Sequence, residues 1–236
     1  MARADISEGE ELFAIPRTLI LSSNSSSLHT KLANDLDKLD PWLSVILVMI
    51  YEYLLEEKSL WAPYLAILPK DFDTLMFWSD EELGELQGSA IVDRIGKNEV
   101  EESALETVVP IVRRNAALFS PVDDLSSYDG DAGAAALLKL VHIMGSLIMA
   151  YGFDIEKADD AAGAGADEDG YVTDEDDEVL SKGMVPFADL LNSDPVKSNV
   201  SFPSSLASIS MIREDVLNFL FLFYFFFSVS AGSSFL

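Results

Sequence analysis

The sequence of 236 residues contains no cysteine and only two histidines. Without cysteine the chain can form no disulfide framework, no thiolate nucleophile and no cysteine-ligated zinc site. The two histidines, His29 and His142, are too few for a histidine-rich metal site, and we interpret both as structural or surface residues. The absence of cysteine agrees with an intracellular location, where disulfides are rare.

Basic residues are also scarce: 15 lysines and arginines stand against 41 acidic residues, so the formal net charge is −26 at pH 7. Such a chain repels phosphate backbones, which argues against binding to nucleic acid and favours basic protein partners. The N-terminal residues have no apolar core and include an acid at Asp5, so they do not form a secretory signal. We therefore expect the protein in the nucleus and/or the cytoplasm, and not in a membrane.

Apolar residues are plentiful, at 49% of the sequence with 14 phenylalanines and three tryptophans, which is enough for a packed core. Residues 12–15 form an apolar run that Pro16 stops, and this predicts a short β strand. Asp40 and Pro41 provide an N-cap and a first-turn proline for a helix over residues 42–57. That helix is apolar on almost every side, so it must be buried.

Other helices are predicted further along the chain. Ser79 and Glu82 have the spacing of a capping box, and a second helical stretch begins near Glu99 and meets Pro110. Residues 134–151 carry apolar side chains at three- and four-residue intervals, which predicts a helix facing a core. We expect the interior of this helical region to contain Trp42, Trp61, Phe77 and Leu138. The aromatic residues that could instead form a methyl-lysine cage are Trp61, Tyr64, Phe77 and Trp78. We favour core packing for them.

An acidic stretch over residues 154–182 has little apolar surface and predicts a disordered linker. Residues 167–173 inside it resemble the middle of a calcium-binding EF-hand loop. Gly165 and Asp176 would occupy the first and last ligand positions, where neither fits, so we do not expect a calcium site. A solvated acidic loop that attracts a basic substrate is the preferred interpretation.

The C-terminal part contains an apolar run over residues 216–229. It is shorter than the ~20 residues that a membrane-spanning helix needs. Two interpretations stay open: a poor tail anchor, or an incorrectly translated end such as intron sequence, which we favour.

Three separated stretches form a pattern: residues 4–17 read ADISEGEELFAIPR, residues 61–69 and 77–89 read WAPYLAILP and FWSDEELGELQGS, and residues 184–192 read MVPFADLLN. In this order and spacing they resemble the SET-domain protein lysine methyltransferases. The first is similar to the start of the SET domain. The two parts of the second stretch, residues 61–69 and 77–89, are similar to the helical insertion of the Rubisco-type and fungal ribosomal-protein branch. The last is similar to the segment that leads into the cofactor site. The resemblance covers roughly residues 2–202.

The resemblance implies an α+β fold in which SET-type small β sheets carry a large, mainly helical inserted subdomain. It also implies a division of the chain into an N-terminal SET segment (1–30), a helical insertion (31–153), the acidic disordered linker (154–182), a second SET segment (183–202) and a divergent apolar tail (203–236).

The implied activity is transfer of a methyl group from S-adenosylmethionine to the ε-amine of a lysine in a basic protein substrate, ribosomal or nuclear. The amine must be neutral to attack, and a narrow, partly desolvated channel favours that form. Alignment of the reacting groups then supplies most of the acceleration. The lack of cysteine and histidine therefore does not count against this class of enzyme.

Three residues match the family's cofactor site. Asn192 stands at the cofactor-binding asparagine, Ser193 stands where many members have histidine, and Ala2 would end the glycine-rich cofactor loop. Asn199 sits where a second asparagine commonly follows. From turn statistics alone, Asn192 is as easily explained as a turn residue, and the resemblance favours the cofactor role.

The family's catalytic tyrosine has no match after Phe202, because Tyr224 lies in a phenylalanine run without the expected neighbours. No catalytic residue is carried over. The chain therefore resembles a family member cut short at both ends, and we expect this 236-residue form to bind the cofactor weakly and to transfer methyl groups poorly. The alternatives are a catalytically dead remnant that acts as a protein-binding scaffold, and a tail-anchored membrane protein.

Overall fold

Two small antiparallel sheets flank a long helical stretch in the computed structural model, which describes residues 5–7, 9–122, 124–155, 181–190, 200–201 and 208–213. The strands are β1 (Glu11–Pro16), β2 (Leu21–Ser22), β3 (Gly152–Ile155), β4 (Ser181–Met184), β5 (Val200–Ser201) and β6 (Ser208–Arg213). One sheet has the order β1-β6-β5 and the other the order β2-β4-β3. Each sheet thus joins a strand that precedes the helices to strands that follow them.

The described residues between β2 and β3 form helices joined by turns and loops, with no strand among them. These helices are α1 (Ser27–Leu36), α2 (Pro41–Leu54), α3 (Ala62–Ile67), α4 (Asp80–Gly84), α5 (Ile91–Ile95), α6 (Lys97–Glu106), α7 (Val108–Arg114) and α8 (Gly130–Tyr151). Short 3-10 turns lie at Arg17–Leu19, Glu56–Lys58, Leu75–Phe77, Ala116–Leu118 and Ala188–Leu190. Mixed helix with small antiparallel sheets is an α+β fold, as the sequence predicts.

Helix α2 begins where the sequence places its cap. The Oδ1 atom of Asp40 accepts hydrogen bonds from the backbone N–H groups of Trp42, at 2.9 Å, and Leu43, at 3.0 Å, and Pro41 occupies the first turn. The helix ends at Leu54, before the predicted end at residue 57. Its continuation is blocked because Glu56 adopts a left-handed conformation with φ of 51°.

The core is built around α2, in which every residue from position 43 to position 52 is buried. The helix packs against α8, α1 and α3 on the helical side, and against β2 and β4 on the sheet side. A helix covered on all faces can be apolar all round, which explains its composition. Each buried Leu, Ile, Val or Met side chain contributes about 1.5–3 kcal/mol relative to exposure.

A carboxyl group lies inside this core, among the residues that the structure describes. Glu52 is 2% exposed, and its carboxylate accepts hydrogen bonds from the Oγ of Ser26, at 2.5 Å, and the Oγ of Ser59, at 2.6 Å. Ser26 is the N-cap of α1 and accepts the backbone N–H of Leu28. Ser59 accepts the backbone N–H of Trp61, directly before α3. The carboxylate therefore ties the starts of two helices to α2.

Helix α8 runs for 22 residues, from Gly130 to Tyr151, and starts four residues before the predicted helix over 134–151. By length and composition alone it could span a membrane, as core helices often can. About half of its apolar stretch is buried inside the protein, where it packs on α2. The apolar composition of α8 is therefore explained by its packing in the core.

The expected interior residues are only partly correct. Trp61 is buried at 5% exposure, as predicted. Trp42 and Leu138 are half-buried where they pack against the core, and Phe77 is half-buried beside Phe72, so the prediction that all four lie in the interior holds only for Trp61. Trp42 lies in the first turn of α2, Phe77 in a 3-10 turn and Leu138 in α8, which has exposed positions. Apolar spacing alone did not show their partial exposure.

The predicted helix from Glu99 to Pro110 is two helices in the structure. Helix α6 ends at Glu106, Thr107 departs from helical geometry at φ of −117° and ψ of −66°, and α7 follows. Pro110 lies in the first turn of α7, where no backbone donor is required of it.

The two strands β3 and β4 occupy residues that the sequence analysis assigned to the linker: Asp154, Ile155, Ser181 and Lys182. The Nζ atom of Lys182 donates to the Oδ1 of Asp154 at 2.7 Å across this pair of strands. Residues 156–180, with the calcium-like segment, lie outside the described residues, and so does the apolar run at 216–229.

Replacing Glu52 with alanine is expected to lower the free energy of unfolding by roughly 2–5 kcal/mol, because two serine hydroxyls lose their acceptor and a cavity opens. Urea denaturation measures the change. The exposed Glu57 offers the matched control, and Glu57→Ala should change stability by less than about 0.5 kcal/mol. Equal stability of the two variants would contradict the role of Glu52.

Replacing Gly133 with alanine is expected to destabilise the protein, because the added Cβ would lie 2.1 Å from the backbone carbonyl carbon of Tyr128. Overpacking of this kind costs about 1–3 kcal/mol. In contrast, Gly84→Ala adds a Cβ with nothing within 4 Å and should preserve or slightly raise stability. Thermal unfolding of both variants measures the difference in stability. A melting temperature of Gly133→Ala equal to or above that of Gly84→Ala would contradict the prediction.

Candidate functional site

The helices and the second sheet meet at β4, the central strand of its sheet. Met184 in this strand pairs with Leu21 of β2 on one side and with Gly152 of β3 on the other. The chain then continues through the 3-10 turn Ala188–Leu190. We call residues 183–190 the junction segment. Its residues 184–190 are the described part of the stretch that resembles the family's approach to the cofactor site.

The junction segment is anchored in two apolar clusters. Met184 is fully buried in the main core beside the helices. Val185 and Ala188 are buried in a smaller cluster together with Ile15 and Ile20. The segment therefore bridges the helical core and the strands that come from the N-terminal part of the chain.

A hydrogen bond joins this segment to the helical region. The hydroxyl of Tyr64, on α3, donates to the Oδ2 of Asp189 at 2.6 Å, between residues 125 positions apart in sequence. A bond to a carboxylate is charge-assisted and stronger than a neutral one. The other oxygen of Asp189, Oδ1, is buried and has no hydrogen-bond partner in the part of the chain that the structure describes.

Burial raises the pKa of the Tyr64 hydroxyl well above its ordinary value. The hydrogen bond to Asp189 and the negative charge of that residue raise the pKa further, and Tyr151 adds a smaller contribution. All these causes favour the neutral phenol. Tyr64 therefore stays protonated and remains a donor to Asp189 throughout the neutral pH range.

Helix α3 is itself held in place at its start. The indole Nε1 of Trp61 donates to the backbone carbonyl of Leu19 at 2.7 Å, which ties α3 to the turn between β1 and β2. Through Ser59, the same tryptophan is linked to the buried carboxylate of Glu52. Tyr64 thus projects from a helix fixed both to the core and to the N-terminal strands.

The four aromatic residues considered as a methyl-lysine cage have separate partners. Trp61 and Tyr64 make the contacts just described. Phe77 stacks on Phe72 with ring centroids 5.8 Å apart, and the Nε1 of Trp78 donates to Asp73 at 3.3 Å. These contacts support structural roles for all four.

Phe187 has an unusual backbone conformation within the junction segment. Its φ is 80°, in the left-handed region that residues with a Cβ rarely adopt. Its ring meets that of Phe13, on β1, edge to face with centroids 5.0 Å apart. The side chain is nevertheless 61% exposed. Strained residues of this kind persist where the surrounding structure holds them, often beside functional sites.

The predicted cofactor residues Ala2, Asn192 and Ser193 lie outside the described residues, as does Asn199. Their cofactor role stays a prediction. The junction segment ends at Leu190, two positions before Asn192. The structure therefore describes the chain as far as the residue two positions before Asn192.

The two histidines have the positions of structural residues. His142 is buried in α8, and its Nε2 lies 2.8 Å from the Oε1 of Glu101. His29 is half-buried in α1. Within the described residues, no group of three or more potential ligands is placed to hold a metal ion.

Sequence reasoning did not identify the bond between Tyr64 and Asp189. Both residues belong to stretches that carry the family resemblance, and this was the available signal. Nothing in the linear sequence pairs two residues so far apart.

No protein-family model matches the chain. It is 31% identical over 223 residues to ribosomal lysine N-methyltransferase 4 of Saccharomyces cerevisiae, covering 91% of this chain and 43% of the relative. It is 32% identical over 202 residues to N-lysine methyltransferase setd6 of Xenopus laevis, covering 81% of this chain and 39% of that protein. Over 121 residues it is 34% identical to the chloroplastic ribulose-1,5 bisphosphate carboxylase/oxygenase large subunit N-methyltransferase of Pisum sativum, covering 50% of this chain and 24% of the relative. The chain spans less than half the length of each of these relatives.

The hydroxyl of Tyr64 should give a stability contribution that depends on pH. Below pH 10.0, the ordinary pKa of tyrosine, both folded and unfolded forms keep the proton, and Tyr64→Phe should lower the free energy of unfolding by about 1.5–3 kcal/mol, as expected for a bond to a charged group. Above that pH the unfolded form loses the proton while the folded form retains it, so unfolding becomes easier as pH rises.

The difference between the unmodified protein and Tyr64→Phe should therefore be constant from pH 6 to about 9 and shrink above about 10. Urea denaturation across this range measures it. Comparison with the variant removes the contribution of the other tyrosines. A difference that grows above pH 10 would show that the hydroxyl does not donate to Asp189.

Proposed function

Because this chain belongs to the protein-lysine N-methyltransferases of the ribosomal-protein and Rubisco branch, we propose that the protein transfers a methyl group from S-adenosylmethionine to the ε-amine of a lysine in a protein substrate. The similarity to the yeast ribosomal lysine methyltransferase over 91% of the chain carries this proposal. The arrangement of the fold supports it, since two small sheets are built from strands on either side of a helical insertion.

The finer description of the fold is part of the proposal. We assign the two three-stranded sheets to a SET-type domain and the helices from α1 to α8 to its inserted subdomain. Residues 1–30 and 183–202 then supply the two SET segments. The pairing of β2 with β4 supports this assignment, because it joins the N-terminal segment to the segment after the insertion. The pairing of β1 with β6 adds residues 208–213 to the same sheets, although the sequence analysis placed them in the divergent tail that begins at residue 203.

We assign S-adenosylmethionine to a site that includes Asn192, Ser193 and Ala2. The described residues fit such a site next to the junction segment. That segment is fixed through Asp189, and it ends two positions before Asn192 with the side chains of Phe187 and Leu190 each 61% exposed. When bound, the cofactor supplies a methyl group on a sulfonium centre.

The protein's own contribution to the reaction is alignment and desolvation. The substrate lysine must lose its proton to solvent before its nitrogen can attack, and partly apolar surroundings lower the pKa of an amine. Well-oriented reacting groups can gain ~7–11 kcal/mol from proximity. A rigid junction segment, anchored in two apolar clusters, is suited to that requirement.

The substrate that we propose is a basic protein, ribosomal or nuclear. The formal charge of −26 attracts basic surfaces and raises the rate of encounter with them. A location in the nucleus and/or the cytoplasm belongs to the same proposal.

Labelled S-adenosylmethionine incubated with the protein and a mixture of ribosomal and nuclear proteins should give methyl-lysine in at least one of them, at the low rate expected above for this 236-residue form. If the Asn192 side chain holds the cofactor aligned with the substrate lysine, Asn192→Ala should reduce the transfer rate by about 10- to 100-fold. Asn98 is exposed on α6, and Asn98→Ala is the matched control that should keep full activity.

The test also separates the alternatives. Binding of S-adenosylmethionine in calorimetry without transfer to any lysine would favour a non-catalytic scaffold. Full transfer by Asn192→Ala would remove that residue from the cofactor site while leaving the activity itself established.

A further inference from the structure

We propose that Tyr64 is a positioning residue for the cofactor site: its hydroxyl holds the Asp189 carboxylate and thereby fixes the junction segment that leads to Asn192. The inference rests on the proposed function for its catalytic meaning. The physical link itself is a property of the structure alone.

The link connects two parts of the fold that the chain brings together only through tertiary structure. Tyr64 lies on α3 in the helical region, and Asp189 lies in the 3-10 turn after β4. Tyr151, at the end of α8, is close enough to influence the electrostatics of Tyr64. The bond therefore joins α3 to the turn that follows β4.

The tyrosine side of the link is rigid. Tyr64 is 8% exposed and belongs to the main core. Its helix is fixed by the bond from Trp61 to the carbonyl of Leu19 and by the bond from Trp61 to Ser59. A rigid hydroxyl donor can fix the position of its acceptor, whereas the hydroxyl of an exposed, mobile tyrosine would adjust to wherever the acceptor lies.

The aspartate side depends on this donor. Oδ2 of Asp189 accepts the Tyr64 hydroxyl, and Oδ1 is buried without a hydrogen-bond partner among the described residues. A partly buried carboxylate that loses its hydrogen-bond donor lowers its free energy by moving toward water, which can hydrate it. Loss of the Tyr64 hydroxyl should therefore displace Asp189, and the turn that carries it, from the observed position.

Displacement of this turn would move the point from which the chain continues to Asn192, which follows Asp189 by three positions in the sequence. Methyl transfer by alignment is sensitive to such movement, since a shift of about 1 Å can lower a rate by about 100-fold. Tyr64 would act without touching either the cofactor or the lysine.

The test compares Tyr64→Phe, Asp189→Ala and the double variant. Tyr128→Phe is the matched control, since the hydroxyl of this buried tyrosine donates to the carbonyl of Ser120 at 2.9 Å, outside the junction segment. Both single tyrosine variants remove one buried hydroxyl and keep the ring, so a general loss of stability should affect them similarly.

The first readout is amide hydrogen exchange in the peptide that covers the junction segment, without cofactor. Tyr64→Phe should raise exchange there by about 10-fold, and Tyr128→Phe should leave it unchanged after correction for global stability. The double variant should exchange no faster than Asp189→Ala alone, because the two residues act through one bond. Unchanged exchange in Tyr64→Phe, or additive effects in the double variant, overturns the inference.

The second readout is calorimetric titration with S-adenosylmethionine together with kcat and KM for methyl transfer. Tyr64→Phe should weaken cofactor binding by about 10-fold or lower kcat by about 10- to 100-fold, with the KM for the protein substrate nearly constant. Tyr128→Phe should match the unmodified protein. A Tyr64→Phe variant with unaltered affinity and kcat refutes the positioning role.

If the unmodified protein neither binds S-adenosylmethionine nor transfers its methyl group, the proposed function fails. The exchange experiment alone then decides whether Tyr64 holds the junction segment.

Discussion

The buried carboxylate of Glu52 is the constraint on which the arrangement of the helices depends. A charge inside the core is strongly destabilising unless hydrogen bonds satisfy it. Here the two donors are serine hydroxyls, and each serine stands at the start of a helix. Both oxygens of Glu52 find a donor only when the starts of α1 and α3 lie beside the same carboxylate, one serine hydroxyl at each oxygen. The group therefore selects one arrangement of three helices, and through Ser59 and Trp61 it fixes the helix that carries Tyr64.

Local signals explain which parts of the fold could be predicted. The Asp40 cap, the capping box of Ser79 and Glu82, and the strand stopped by Pro16 each depend on residues within four positions, and the structure confirms all three. The limits of the linker were less accurate. Ile155 and Ser181 are strand residues because they pair with each other, and no local pattern reports that pairing. Family resemblance supplied the α+β arrangement.

The candidate site was predictable only in part, for the same physical reason. Resemblance pointed to the stretch that contains Asp189, while the bond to Tyr64 depends on how α3 packs and on burial that removes water from both groups. Similarly, the apolar character of α2 predicted a buried helix but gave no reason to expect Glu52 inside it with both oxygens satisfied. Polar contacts between distant segments become visible only after packing has placed them.

The pairing of β3 with β4 brings together the two points of the fold between which residues 156–180 are inserted. Ile155 and Ser181 lie opposite each other in the ladder, so residues 156–180 leave and rejoin the fold at neighbouring points. Closing a loop between adjacent points becomes only slightly less favourable with length, by about 0.6 kcal/mol for each doubling. Insertions, deletions and wide changes of composition can therefore accumulate between these two strands with little effect on folding. Such a position in the fold is open to the evolution of new sequence that binds a partner, while the sheet beside it stays the same.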